Sequence, residues 1–352
     1  MKVVTVVGAR PQFIKLAPVS RALRAQAAEI LVHTGQHFDD AMSEAFFREL
    51  ALPRPDVNLG AGGGLPETQL AAILPPLTEL VRRERPDWVL VYGDTTSTLA
   101  GALAAVMSHT PLAHVEAGLR SFDRAMPEEN NRVATDALAQ LLFPPTAAAA
   151  AQLKREGVVG RIAVTGDVMY DALLAMRPQA AARSAAAALG LAPGSYYLAT
   201  VHRAGNTDDP ARLAAIVDGL CAAPLPVVLP LHPRTDKCLR AAGLYNRLAA
   251  GVKLVAPLGY LDMLSLLQDA AMLITDSGGA QKEAYWLGVP CVTLRPSTEW
   301  HETLGDDWNV LTDADPAKLA AALARPRPAA DRPPHYGDGH AAAQIVAALL
   351  GR

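Results

Sequence analysis

Carboxylates stand at the ends of apolar runs in this sequence. Asp94 closes DWVLVYGD, Glu116 closes PLAHVE, and Glu128 and Glu129 follow Pro127 in MPEENNR. Carboxylates that share a site raise one another's pKa, and the mixed protonation states that follow suit acid–base work. Each group also has a plainer reading. Asp94 can cap the next helix. Glu116 can pair with Arg120 or with a ligand. Glu128 and Glu129 sit in a first helical turn, where the helix dipole stabilises anions. Those two point different ways, so at most one of them serves a site.

Cations and imidazoles stand in equivalent places. In GARPQFIK, Arg10 and Lys15 can approach an anion beside free backbone N–H groups, or Arg10 caps the turn and Lys15 is solvated. His202 and Arg203 follow YYLATV, and His232 and Arg234 follow PVVLPL. His202 is a site residue or a core histidine. TDSGGAQKEAYWLG carries the strongest signal. A strand ends at Asp276, and Ser277, Gly278 and Gly279 expose backbone where a helix begins, which makes a phosphate seat of N–H groups and a hydroxyl. Glu283, one turn further on, accepts from ribose hydroxyls or is merely solvated. CVTLRPSTEWHET adds Arg295, Glu299 and Glu302. The glycine spacings of dinucleotide and triphosphate loops do not occur. Neither HxH nor HExxH occurs, so no metal is expected.

These residues need elements to hold them. The apolar runs KVVTVVGA, EILVHTG, DWVLVYGD, PLAHVE and RIAVTGD predict strands buried on both faces, as in a parallel sheet. A helix-like stretch covers 70–85, and 177–193 predicts one alanine-rich peripheral helix. A second series follows: YYLATVHR, PVVLPLHP, VKLVAPLG, AMLITDSGG, PCVTLR and the short WNVLTD. The expected fold is α/β, with two Rossmann-like domains over 1–168 and 169–352. Strand ends that face each other would form one cleft, with acid/base carboxylates in the first domain and the phosphate seat in the second. The last helix, in GDGHAAAQIVAALL, can pack on either domain. Ligands in such sheets bind beyond the carboxyl ends of the strands.

Composition bounds the function. Apolar residues make up 51% and charged residues 19% of the 352, which is a globular balance. The net charge of -3 and the lack of a basic run argue against nucleic-acid binding. Cys221, Cys238 and Cys291 form no CxxC or secreted disulfide pattern, which fits a reducing cytoplasm. The N-terminus lacks a signal-peptide cleavage site, and no apolar run is long enough to cross a membrane.

The motifs GARPQFIK, HTGQHFD, YGDTTSTLAGALAA, HVEAGLRSFDRAMPEENNR, VTGDVMYDAL, TVHRAGNTDD, HPRT and TDSGGAQKEAYWLGVPCVTLR occur in the order seen in a known family. The chain resembles the non-hydrolysing UDP-N-acetylglucosamine 2-epimerases over nearly its whole length. That resemblance implies a GT-B-like architecture and reversible conversion of UDP-N-acetylglucosamine to UDP-N-acetylmannosamine. UDP would leave by elimination and add back through a 2-acetamidoglucal, with no cofactor. Asp94, Glu116 and Glu128 match the family's catalytic carboxylates. Arg10, Lys15 and His202 match its phosphate- and sugar-side residues, and Ser277, Gly278, Gly279 and Glu283 its UDP seat. Gln36 and His37 match part of a second, activating site, but NLGAGGGLPETQ lacks the arginine used there. Gly205 stands where many members carry glutamate. The motifs also resemble the branch that epimerises UDP-2,3-diacetamido uronic acids. A homodimer is implied as well, and the division of carboxylates and phosphate seat between the two domains leads to the expectation that they close on the nucleotide.

Overall fold

The computed structural model describes residues 1–36, 47 and 49–352, without the side chains of Arg10 and Asp306. His37 lies outside the described residues. Two compact units divide the chain: Met1–Ala175 with Pro334–Arg352, and Met176–Pro333.

The first unit holds β1 (Lys2–Val7), β2 (Ala28–His33), β3 (Val57–Asn58), β4 (Trp88–Tyr92), β5 (Leu112–Val115), β6 (Leu141–Phe143) and β7 (Arg161–Ile162). Their order is β3-β2-β1-β4-β5-β6-β7, and every pairing is parallel. The second holds β8 (Tyr197–Thr200), β9 (Val227–Pro230), β10 (Lys253–Val255), β11 (Met272–Thr275), β12 (Cys291–Thr293) and β13 (Asn309–Leu311). They run in the order β10-β9-β8-β11-β12-β13, again all parallel. This is the expected pair of Rossmann-like units. Val4, Val6, Val89, Val91 and Leu112 are fully buried, as strands covered by helices on both faces require.

The register positions the chemistry. Val6 lies opposite Val91, and Tyr92 opposite Val115, so β1, β4 and β5 end together. Strand order reverses between β1 and β4, and between β8 and β11. A ligand crevice forms at such a reversal. The residues just past these strands are Gly8, Gly93–Asp94 and Glu116 in one unit, and Val201–His202 and Asp276 in the other.

Three details differ from the sequence reading. β3 and β6 were not anticipated; at two and three residues they carry no alternation. The expected single helix over 177–193 is instead the end of Val168–Arg183, which runs through Pro178. It breaks at Ser184, whose φ of 50° is left-handed, before the short Ala185–Ala188. The last helix, Ala341–Leu349, packs on Arg10–Arg24 of the first unit. Among the described residues no helix is long and apolar enough to cross a membrane.

Candidate active site

In the first unit a buried ion pair lies at the strand reversal. Lys15 reaches from the helix Arg10–Arg24, and its Nζ donates to Glu116 Oε1 at 2.6 Å. Both residues are more than nine-tenths buried. Burial alone pulls the Lys15 pKa down, but the charges of Glu116 and Asp94 outweigh it and hold the ammonium above the ordinary lysine value. Asp167 adds to the same field. Lys15 is therefore not solvated, and Glu116 does not pair with Arg120. Glu116 itself has φ 69°. A non-glycine residue held there costs of order 1–3 kcal/mol, a strain that persists where a side chain must be aimed. Gly93 also has positive φ, and a Cβ there would stand 3.0 Å from Lys15 Nζ. A side chain there would be strained by the backbone and would crowd the ammonium.

Asp94 does not cap the following helix. Thr95 does, its hydroxyl accepting from Thr98 N. Asp94 is left half-buried and ion-paired to Arg132, while Asn131 Nδ2 donates to its carbonyl at 2.9 Å. Arg132 belongs to the helix Pro127–Leu138, which begins with Pro127 and carries Glu128 and Glu129 in its first turn. Glu128 is exposed, and among the described residues it has no hydrogen-bond partner. Glu129 is buried. It accepts from Ser121 N at 2.8 Å, Ser121 Oγ at 2.9 Å, Phe122 N at 3.1 Å and Arg132 Nη1 at 3.0 Å. Helix-dipole stabilisation is the smaller part of its role; it ties the 121–122 turn to the arginine that holds Asp94. E129Q should cost about 1–3 kcal/mol, the penalty for mismatched buried hydrogen bonds. Its loss of turnover should be modest. Chemical denaturation and turnover assays check this, and an unchanged unfolding midpoint would refute it.

Supporting contacts sit behind these groups. Gln12 Oε1 accepts from Gly8 N and Ala9 N, and its amide donates to Tyr92 O at 2.9 Å, joining the β1 and β4 ends. His114 lies 2.7 Å from both Gly93 O and Asp136 Oδ1. Both ring nitrogens are thus held, one by a buried carboxylate and one by a strand-end carbonyl. Burial raises the Asp136 pKa, but His114 and Arg120 more than offset it, and the carboxylate lies below its ordinary range. Arg120 is taken up by Asp136 and Glu156. Gln36 Oε1 accepts from Ser97 N and Oγ at 3.1 and 2.6 Å, a fastening within the first unit. The Arg10 backbone opens its helix.

In the second unit Asp276 is fully buried and organises the other strand ends. It accepts from His202 N at 3.0 Å, Arg203 N at 2.9 Å and Asn206 Nδ2 at 3.2 Å. His202 Nδ1 lies 3.2 Å from Asp276 Oδ1, and the His202 and His232 rings are 5.7 Å apart. Ser277 caps the helix Gly278–Leu287, with Glu283 half-buried one turn along. His232 caps Pro233–Ala241 by accepting from Arg234 N at 3.2 Å. The Arg234 side chain is held by exposed Asp208 at 2.5–2.6 Å. Thus Lys15, Asp94 and Glu116 come together in one unit, and His202, Arg203, Ser277, Gly278 and Gly279 in the other. Sequence reasoning missed Arg132, Gln12 and Asp136. Only the i,i+3 spacing of Glu129 and Arg132 could have signalled the first. Among the described residues no group of three or more His, Cys, Asp or Glu side chains is placed to hold a metal ion.

Comparison with known proteins adds to this geometry. The family profile described as UDP-N-acetylglucosamine 2-epimerase matches residues 21–350. A Methanococcus maripaludis protein described as a UDP-N-acetylglucosamine 2-epimerase homolog is 46% identical, over 99% of both chains. The UDP-2,3-diacetamido-2,3-dideoxy-D-glucuronate 2-epimerase of Pseudomonas aeruginosa is 46% identical, over 98% of both. A solved structure of Methanocaldococcus jannaschii UDP-GlcNAc 2-epimerase, in complex with UDP-GlcNAc and UDP, superposes with a TM-score of 0.92. It is 39% identical, and each chain is covered completely.

Proposed function

This chain belongs to the UDP-N-acetylglucosamine 2-epimerase family, and we propose on that premise that it inverts C2 of a UDP-linked 2-acetamido sugar without net hydrolysis. The observation that carries the reading is the pair of carboxylates brought to one strand reversal from separate elements, Asp94 past β4 and Glu116 past β5, both acting on Lys15, and we propose exposed Glu128 on the helix Pro127–Leu138 as the third on the family resemblance. Inversion at carbon needs a proton removed on one face and delivered on the other, so groups from different elements suit it. One carboxylate takes the C2 proton. The C–H electron pair forms the C1–C2 double bond, and the anomeric C–O bond breaks with its electrons leaving on UDP. Re-addition of UDP restores that bond as a proton reaches C2 on the opposite face. Nothing is oxidised, so the reaction calls for no nicotinamide. The helix start 277–279 supplies N–H groups for the charge growing on the leaving diphosphate. A glucal and UDP retained together recombine as an effectively unimolecular pair.

Two substrates fit. The 46% identity to the Pseudomonas enzyme, against 39% to the M. jannaschii UDP-GlcNAc enzyme, favours UDP-2,3-diacetamido-2,3-dideoxy-D-glucuronate. UDP-N-acetylglucosamine is the second reading, supported by the close superposition on the M. jannaschii structure. Each sugar nucleotide should be incubated with enzyme in heavy water and followed by proton NMR. Deuterium at C2 and a manno product are expected, faster with the diacetamido uronate. No exchange with either would refute the reaction class. Free sugar released in step with UDP would refute the non-hydrolysing reading.

A further inference from the structure

The start of the helix Gly278–Leu287 already faces an anion. Glu299 Oε1 lies where it would stand 2.7 Å from any Cβ added to Gly278, and Trp300 Nε1 would stand 3.0 Å from the same atom. A side chain at Gly278 would thus displace the Glu299 carboxylate or the Trp300 ring, a reason for glycine separate from any phosphate. Two arginines attend this carboxylate. Arg295 Nη2 is 2.9 Å from Glu299 Oε2, and Arg203 Nη2 is 3.7 Å from Oε1. The Arg295 contact is a close charge pair rather than an aligned hydrogen bond. Arg295 is itself more than nine-tenths buried, and its Nη1 is buried with no hydrogen-bond partner among the described residues, so a donor is left over. Burial pushes the Glu299 carboxyl up, but Arg295 and Arg203 hold it below the usual carboxylate range, and it is ionised at neutral pH.

The placement is built. Thr298 Oγ1 donates to Gln281 Oε1 at 2.7 Å, and Trp300 N donates to Thr298 Oγ1 at 3.2 Å. Lys282 Nζ sits 3.6 Å over the Trp300 ring. The residues on both sides of Glu299 are therefore anchored to the same helix whose start the carboxylate faces. A buried guanidinium, Arg295, and a half-buried one, Arg203, beside a helix N-terminus would be costly without a counter-charge. A nucleoside diphosphate would supply one and, by the same electrostatics, would compete with the one already there.

We propose that Glu299 is the resident anion of the diphosphate seat: it neutralises Arg203, Arg295 and the helix start when no nucleotide is bound, and so limits how tightly UDP is held. This rests on reading 277–279 as the diphosphate seat. The limit has a use, because UDP has to depart, wait and re-add, and a seat of full positive charge would trap it.

Calorimetric titration with UDP, inorganic diphosphate and uridine tests the assignment on wild type, E299Q, E302Q and S277A. E299Q should bind UDP and diphosphate roughly tenfold or more tighter, as removal of a like charge a few ångströms away predicts. Its uridine affinity should not change. E302Q, an equal charge change nearby, should shift UDP affinity by less than about twofold at moderate salt. Unchanged or weaker UDP binding by E299Q would overturn the assignment and make Glu299 a scaffold residue. So would equal tightening for uridine. If E299Q does not fold, E299D draws the carboxylate back by one methylene, and UDP should still tighten measurably; no tightening overturns the proposal. Failure of the wild type to bind UDP, or of S277A to weaken it, would instead refute the seat.

Discussion

Turnover of E116Q is expected to fall roughly 10²–10⁴-fold, the usual contribution of a positioned acid or base. D94N and E128Q should fall in the same range. Amide replacement keeps shape and removes proton transfer. In E116Q the amide oxygen still accepts from Lys15, and Asp94 and Asp167 still act on that ammonium, so the fold should hold. UDP affinity should be nearly unchanged in all three. The deuterium exchange assay separates steps: loss of wash-in with retained UDP binding places the defect at C2. Near-normal turnover in E116Q would refute a chemical role for this carboxylate and leave the Lys15 pair as a structural feature. Near-normal turnover in E128Q would remove Glu128 alone, since it is exposed and shares no contact with the other two.

K15M is expected to be among the most destabilising single changes, at about 3–5 kcal/mol, because it removes one member of a buried ion pair. Glu116, Asp94 and Asp167 would all lose the ammonium on which they act. The double variant K15M/E116Q should recover part of the loss, with a coupling of about 1–3 kcal/mol typical of residues in direct contact. Denaturant unfolding of the four proteins measures it, and additive effects would refute the pair. Lys15 also sets a pH signature. Its folded pKa lies above the unfolded 10.5, so its contribution is fully present at neutral pH. The contribution is lost only as pH rises from that value through the folded one.

How far the sequence revealed this follows from the range of each interaction. Strand ends were legible, because an apolar run stops where its polar residue begins; Asp94, Glu116, His202 and Asp276 were all found that way. The seat at 277–279 was legible because cap, glycines and helix are contiguous. Partners were not. Lys15 and Glu116 are 101 residues apart, and they meet because β4 is flanked by β1 and β5, an order the chain does not spell out. Arg120 was the nearer cation in sequence, yet Asp136 and Glu156 take it. Glu129 looked like a helix-start residue because the turn it fastens has no periodicity. The break at Ser184 was hidden by alanines on both sides, which favour a continuous helix.

The return of residues 334–352 to the first unit bears on how the molecule is made. β1 to β7 leave the ribosome before the second unit, yet their sheet lacks the helix Ala341–Leu349 until that unit has been made. Ile345 and Val346, both fully buried, lie in that helix, which covers Arg10–Arg24. The second unit, Met176–Pro333, is contiguous and can close as soon as it emerges. At about 5–20 residues per second, its synthesis holds the first unit open for on the order of ten to thirty seconds. The unit whose strands are made before Met176 is therefore completed only after Pro333, with an apolar flank of its helix Arg10–Arg24 uncovered meanwhile, and it is over this interval that the nascent chain most needs protection from aggregation.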